Sequence, residues 1–378
     1  MFFAFTEEQE ELRKNARRLL ESASSSERVR AAMATEQGYD ETLWRRLGEE
    51  LGITSLAIPE PYGGAGLGFV EIAAVMEEMG RALLCAPFFS TVCLAASAIL
   101  HGGTEDQKLE TLPRIAAGKL TATVAFVAPD GRWDAPGSGV SYVARGDEIE
   151  LTGKSSFVLD GHTAELLLVV ARSAANGDRS PSIFLVPSSA AGLARRALTT
   201  MDMTRKQAEL TLDKVRIPSS SRLGAPKTGE ATLARALDLA KVALSAEQVG
   251  GAQRCLDMSV DYAKTRVQFG RPIGSFQAIK HKLADMFVEV ESARSASYYA
   301  AWVAAHSESE LPEAAALAKS YCSDAYFRIA AETIQIHGGV GFTWEHDAHL
   351  YFKRAKSSET LFGDAAFHRR AVARQMGL

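Results

Sequence analysis

The run ATLARALDLAKVALSAEQVGGAQRCLDMSVDYAKTR, Ala231 to Arg266, carries apolar residues at helical spacing along its length. It follows the polar linker SSSRLGAPKTGE (Ser219 to Glu230), and long helical runs continue from there to residue 378. On the other side of the linker, from Ala122 to about Ser220, the period changes to two and β-branched residues accumulate. The runs TATVAFV, SYVAR, EIELTG, ELLLVVAR, SIFLVP and AELTLDKVRIP are separated by Gly, Pro, Asp and Asn, which predicts a middle β domain of about seven strands. Upstream, Thr6 is an N-cap with Gln9 three residues on, the TxxQ form of a capping box. LWRRLGEELGI from Leu43 and FVEIAAVMEEMGRAL from Phe69 again have helical spacing, and the Pro/Gly stretch IPEPYGGAGLG (Ile58 to Gly68) turns the chain between them. The order is all-α, all-β, all-α. It predicts an α+β fold with an N-terminal helical domain over 1–118, a middle β-barrel or sandwich domain over 119–225, and a C-terminal four-helix bundle over 226–378 that packs with the first domain.

The 378 residues are 47% hydrophobic and 23% charged, with 42 Lys+Arg against 46 Asp+Glu and a formal net charge of −4. Length of this order suits two or three domains and a core large enough to bury a cofactor. Without Lys/Arg-rich blocks there is no electrostatic footprint for nucleic acid or an anionic membrane surface. The longest apolar stretches, such as Leu166 to Ala171, fall far short of the roughly 20 residues that span a bilayer. The opening MFFAFTEEQEELRK turns acidic after its aromatics, unlike a signal peptide, so a cytoplasmic location is expected. Cys85, Cys93, Cys255 and Cys322 lack CxxC spacing and read as buried thiols in apolar helical context. His346 and His349 stand three apart, yet no HExxH or paired spacing supports them, so no metal is expected. No glycine loop follows a strand and opens a helix, since HGGVG (His337 to Gly341) lies between helices, and no GxSxG elbow occurs.

Two segments carry more information: YAKTRVQFGRPIGSFQAIKHKLADM (Tyr262 to Met286) and IQIHGGVGFTWEHDAHLYFKRAK (Ile334 to Lys356). Together with PEPYGGAGLG, the helix ending EEMGRAL, and MDMTRKQAELTLDKVRIP (Met201 to Pro218), they make the whole chain resemble acyl-CoA dehydrogenases. The resemblance implies an α–β–α flavoenzyme that assembles as a tetramer. One subunit's FAD pyrophosphate is then held by its neighbour, and an electron-transferring flavoprotein accepts the electrons. By that resemblance Arg266 clamps a phosphate, Phe269 offers a face to adenine, and Gln268 and Gln277 supply amide hydrogen bonds. Gln335 reaches the phosphate or ribityl region, while Gly338 and Gly339 let the backbone come close.

The chain departs from the family at the base. Straight-chain members place a glutamate in a Y-E-G-T motif near the C-terminus; here KRAKSSETLFGD puts Phe362 in that slot. Members acting on branched substrates use a glutamate in a run like LDLER; here LDLAK leaves Ala240. Seven residues beyond Ala240 stands Glu247, within 20° of the same helix face and about 10 Å further along the axis. A carboxylate flanked by Ala246, Val249, Gly250 and Gly251 is costly to bury without a role. Glu247 is therefore the expected α-proton base, an arrangement resembling acyl-CoA dehydrogenases of steroid side-chain breakdown, which commonly pair two different subunits as α2β2. Phe362 keeps only a backbone role toward the thioester carbonyl. The β domain departs as well: the loop is AFVAPDGRWDAPGSG (Ala125 to Gly139), and SSFVLDG puts Phe157 for the family's tryptophan and Leu159 for its threonine. Phe157 still presents a ring to the flavin, whereas Leu159 donates no hydrogen bond.

The expected activity is FAD-dependent α,β-dehydrogenation of an acyl-CoA thioester to the 2-enoyl-CoA. The small residues Ala240, Ala243, Gly250 and Gly251 are compatible with a bulky, branched or steroid-like acyl group, and equally with close helix packing. Two rivals stand beside this reading. One is a non-catalytic partner subunit of an α2β2 enzyme that lends Arg266, Gln335 and Gly339 to a sister chain's FAD. The other is a flavin oxidase or monooxygenase on the same fold.

Overall fold

The computed structural model describes residues 5–134, 136–175 and 180–378. The first four residues of the quoted N-terminus, and Ala135 of the Ala125–Gly139 loop, lie outside them. Helix α1 (Glu7–Ala23) starts at the expected capping box: the Thr6 hydroxyl accepts the Gln9 N–H at 3.3 Å, and the Gln9 side chain accepts the Thr6 N–H at 2.9 Å. α2 (Ser26–Ala34) and α3 (Glu41–Arg45) follow, the latter continuing as a π-helical turn over Arg46–Glu50. α4 (Phe69–Arg81) is buried from Ile72 through Gly80, including Glu77 and Glu78. Both carboxylates are matched: Arg17 grips Glu78 with two bonds of 2.8 and 2.7 Å, and Glu77 takes Arg294 and the Tyr298 hydroxyl. After a π-helical run over Phe89–Ala96 come α5 (Ser97–Gly102) and α6 (Glu105–Ala116). A second capping box, Thr104 with Gln107, opens α6.

The middle of the chain forms one mixed seven-stranded sheet: β1 (Ala122–Ala125), β2 (Val140–Arg145), β3 (Glu148–Leu159), β4 (Leu166–Ser173), β5 (Pro181–Pro187), β6 (Leu193–Ala197) and β7 (Gln207–Pro218). The order is β1-β4-β2-β3-β7-β6, with β5 pairing β4. β4 runs parallel to β1 and β2, and the other pairings are antiparallel. Its core joins Val140, Ile149, Leu151, Leu167, Val169, Phe184, Leu210 and Leu212. β6 has no signature in the sequence because LARRA sits largely exposed and has no apolar alternation.

The rest is helical: α7 (Gly229–Thr265), α8 (Gln277–His306), α9 (Leu311–His337), α10 (Ala348–Thr360) and α11 (Ala365–Gln375). The described residues gather into two compact units. One holds the chain through Ala31, Phe69–Leu84 and Lys241–Leu378; the other holds Ala32–Gly68 and Cys85–Ala240. Within the first unit α1 packs on α4, and α4 packs on α8. α4 and α7 touch backbone to backbone there: a Cβ on Gly80 would strike the Glu247 carbonyl, and one on Gly250 would strike the Glu77 carbonyl. A Cβ on Gly251 would collide with the Tyr326 ring. Of the two readings open for Gly250 and Gly251, close packing is the one observed. All four cysteines are free and buried, although Cys85 lies in the turn after α4 rather than in a helix. Among the described residues no group of three His, Cys, Asp or Glu side chains could hold a metal, and no helix is long and apolar enough to cross a membrane.

Candidate active site

At the C-terminal end of α7 the Arg266 N–H bonds the Tyr262 carbonyl at 2.8 Å, and the chain enters a minimal hairpin of β8 (Val267–Gln268) and β9 (Arg271–Pro272). Its two turn residues, Phe269 (φ +51°) and Gly270 (φ +77°), are both left-handed, the geometry of a two-residue hairpin turn that follows the strand twist. That turn throws the Phe269 ring outward, 91% exposed, with only the edge of Phe276 beside it at 6.1 Å. Arg266 is also exposed, and among the described residues no carboxylate pairs with it. The Gln268 amide donates to the Val267 carbonyl, and exposed Gln277 begins α8.

Tyr262 stacks on His337 of α9, ring centroids 4.5 Å apart and 27° from parallel. His337 donates from Nδ1 to the Thr333 carbonyl at 2.7 Å and meets His346 on its other side. Burial holds the pKa of both imidazoles below the usual value. This stack brings the Arg266–Phe269 hairpin and the Gln335–Gly339 segment to one end of the bundle. Gln335 is exposed; Gly338 ends α9 with φ +61°, and a Cβ on Gly338 or Gly339 would meet nothing within 4 Å. Unlike Gly250 and Gly251, these glycines face open space.

Glu247 lies elsewhere on α7, eighteen residues before its end at Thr265, about 27 Å along the axis. It is buried, 3% exposed, and its Oε1 pairs with Nη1 of Arg354 on α10 at 2.5 Å; the two side chains are 4% and 3% exposed. Sequence reasoning used the KRAK run only as an alignment anchor and missed this partner. A signal was present: Leu350, Tyr351, Arg354, Ala355 and Ser358 recur at helical spacing and are the buried face of α10. A cation on an apolar face requires an anion. The Tyr326 hydroxyl is buried without a hydrogen-bond partner, and burial raises its pKa.

Phe362 sits in the turn between α10 and α11, buried, with φ +62°, followed by Gly363 with φ +101°. In the other compact unit, Phe157 also has a left-handed φ (+57°), where the β3/β7 register shifts between Ser155 and Val158. That bulge turns its ring outward to 39% exposure, near Gly131, while Leu159 is buried.

Residues 228–377 match the acyl-CoA dehydrogenase C-terminal domain and residues 6–119 the acyl-CoA dehydrogenase N-terminal domain. The chain belongs to the acyl-CoA dehydrogenase family. It is 38% identical to acyl-CoA dehydrogenase IpdE2 of Mycolicibacterium smegmatis, over 95% of each chain. It superposes on the ChsE4-ChsE5 complex from Mycobacterium tuberculosis with a TM-score of 0.90 at 31% identity, covering 100% of this chain and 99% of that one. The steroid ACAD Tcur3481-Tcur3483 follows with 0.88 at 33% identity, covering 98% of each chain. The acyl-CoA dehydrogenase is thereby an FAD-dependent oxidoreductase. Its bundle end fits that cofactor: an arginine without a carboxylate partner suits a phosphate, and glycines that nothing packs against admit a close approach to their backbone.

Proposed function

We propose that the chain performs FAD-dependent α,β-dehydrogenation of an acyl-CoA thioester, on a bulky branched or steroid-like acyl group, within a tetramer. The observation that carries this reading is the bundle end, where Arg266 has no carboxylate partner among the described residues, Phe269 is 91% exposed, and a Cβ on Gly338 or Gly339 would meet nothing within 4 Å. Arg266 clamps a phosphate, Phe269 and the amides of Gln268 and Gln277 receive the adenosine half, and Gln335 with Gly338 and Gly339 lines the ribityl side. FAD, when bound, supplies the hydride acceptor. The long axial separation of Glu247 from this end supports an assembly in which the hairpin serves a neighbouring subunit's cofactor. Phe157 offers its exposed ring to the flavin, and an electron-transferring flavoprotein takes the electrons onward.

Glu247 is the proposed α-proton base. Arg354 holds its carboxylate in place through a charge-assisted bond of 2.5 Å. The Phe362 backbone N–H polarises the thioester carbonyl.

The buried pair also favours a second reading, in which Glu247 and Arg354 are a structural pair and the chain completes the FAD site of a related, catalytic chain. The paired names ChsE4-ChsE5 and Tcur3481-Tcur3483 support such a heteromer. Anaerobic titration of the purified chain with a thioester panel that includes a steroid side-chain thioester separates the readings. Flavin bleaching by the chain alone supports the first; bleaching only after a companion chain is added supports the second.

A further inference from the structure

Lys319, on α9, is completely buried. It lies on the inner face of the helix with Ala315, Ala316, Ala318 and Cys322, where an apolar residue would pack. Its three ammonium protons all have acceptors: the Ser323 hydroxyl at 2.9 Å, the Glu359 carbonyl at 3.0 Å and the Gly363 carbonyl at 3.1 Å. The Glu359 carboxylate does not pair with it but with Lys356, at 2.7 Å. Two of the three bonds therefore go to main-chain carbonyls on either side of Thr360, Leu361 and Phe362, the segment holding the left-handed Phe362–Gly363 turn. From α11, His368 also bonds the Phe362 backbone. Ser323 in turn takes the Gln248 amide at 3.0 Å, so one chain of hydrogen bonds runs from the residue beside Glu247 to the turn.

We infer that Lys319 is a positioning residue for the reaction: it clamps the turn at Phe362 so that the Phe362 N–H meets the thioester carbonyl. The inference rests on the acyl-CoA reading above. An apolar side chain would fill the same volume without burying an ammonium, which is a costly choice for packing alone. What only the ammonium does is tie the end of α10 to Gly363 with both carbonyls satisfied.

Burial brings the Lys319 pKa down to about 7. The groups that face it are Glu359 from α10, Cys322 on its own helix, Lys241 from α7, and Asp364 and His368 from the start of α11. Burial pushes Cys322 up to about 12 and His368 down to about 3, so neither changes charge near neutrality. As pH rises through 7 the neutral amine has only two protons for three acceptors, and the clamp loosens. The effect on stability has the opposite sign. Between the folded value near 7 and the unfolded value near 10.5 the unfolded chain binds more protons, so this residue makes stability rise with pH.

The test compares the parent with Lys319→Met in the flavin-loaded assembly, following kcat, KM and thermal midpoint from pH 6 to 9. The expected result is a kcat lowered about tenfold or more in the variant, with KM changed less than about threefold and flavin content retained. The parent shows a descending limb in kcat near pH 7 that the variant lacks, while the parent's midpoint relative to the variant rises over the same range. Should Lys319→Met fail to fold, Ser323→Ala removes one acceptor, keeps the lysine, and should displace the limb. If the parent bleaches with thioester while the folded variant matches its kcat or keeps its limb, the inference is overturned alone. A parent that bleaches with no thioester, alone or with a companion chain, overturns the acyl-CoA reading and this inference together.

Discussion

The middle of the bundle and its end use the same residue types in opposite ways. In the middle, Gly80, Gly250 and Gly251 are sealed by the Glu247 carbonyl, the Glu77 carbonyl and the Tyr326 ring, and the buried arginine, Arg354, is paired. At the end, a Cβ on Gly270, Gly338 or Gly339 would meet nothing within 4 Å, and among the described residues no carboxylate pairs with Arg266. Glycine in the first place lets two helices touch. In the second no neighbouring group approaches within 4 Å of where a side chain would begin, the space the proposed FAD site needs. The difference lies in what surrounds the residues, since neither glycine nor arginine declares by itself which use it serves.

Substitutions that treat the two regions alike should therefore give unlike results. The largest expected effect is on stability in the middle. Arg354→Met strands a buried carboxylate, and such a broken pair costs about 3–5 kcal/mol; the checking measurement is denaturant unfolding of the assembled protein. Replacing both partners by apolar residues should recover much of that loss, because the penalty comes from the unpaired charge. Next is Gly250→Ala, whose new methyl would be driven into the Glu77 carbonyl. Overpacking of this kind costs about 1–3 kcal/mol, visible as a lowered thermal midpoint. At the bundle end the sign of the evidence reverses. Arg266→Ala should leave stability within about 0.5 kcal/mol of the parent. It should weaken FAD by about 10- to 150-fold, as loss of a charge-assisted contact of about 1.5–3 kcal/mol implies, measured by cofactor titration. The smallest effect on the fold belongs to Gly339→Ala, whose methyl enters open space. Its midpoint should not move measurably while FAD affinity falls. A Gly339→Ala variant that unfolds, or a Gly250→Ala variant that does not, would break the distinction between the two regions.

Much of this architecture is legible in the sequence because local rules carry it. Thr6 with Gln9 announces α1, and the change of period near Ala122 announces the sheet. β6 is not legible, since an exposed edge segment such as LARRA has no face to bury. The polar interior is the other gap. Glu247 stands out in the sequence as a carboxylate among small apolar residues, but Arg354 is 107 residues away and only folding brings it within reach. Lys319 escapes for the same reason: two of its three acceptors are carbonyls some 40 residues on, and a carbonyl has no signature in the amino-acid code. Gly250 and Gly251 show the converse, a pattern with two meanings in the sequence between which the Glu77 carbonyl and the Tyr326 ring decide.

The central claim, that Glu247 takes the α-proton, is tested most directly by anaerobic bleaching of the flavin in Glu247→Gln. Glutamine keeps the shape and a carbonyl to accept from Arg354 while removing basicity. Because it also leaves the buried Arg354 charge uncompensated and lowers stability, the rate is compared in variant protein that retains its flavin spectrum and its assembly. Loss of a positioned general base costs about 10²–10⁴-fold in rate, and bleaching by a thioester that the parent accepts should slow by that amount. A variant that bleaches within about threefold of the parent would contradict the claim and leave Glu247 and Arg354 as a structural pair.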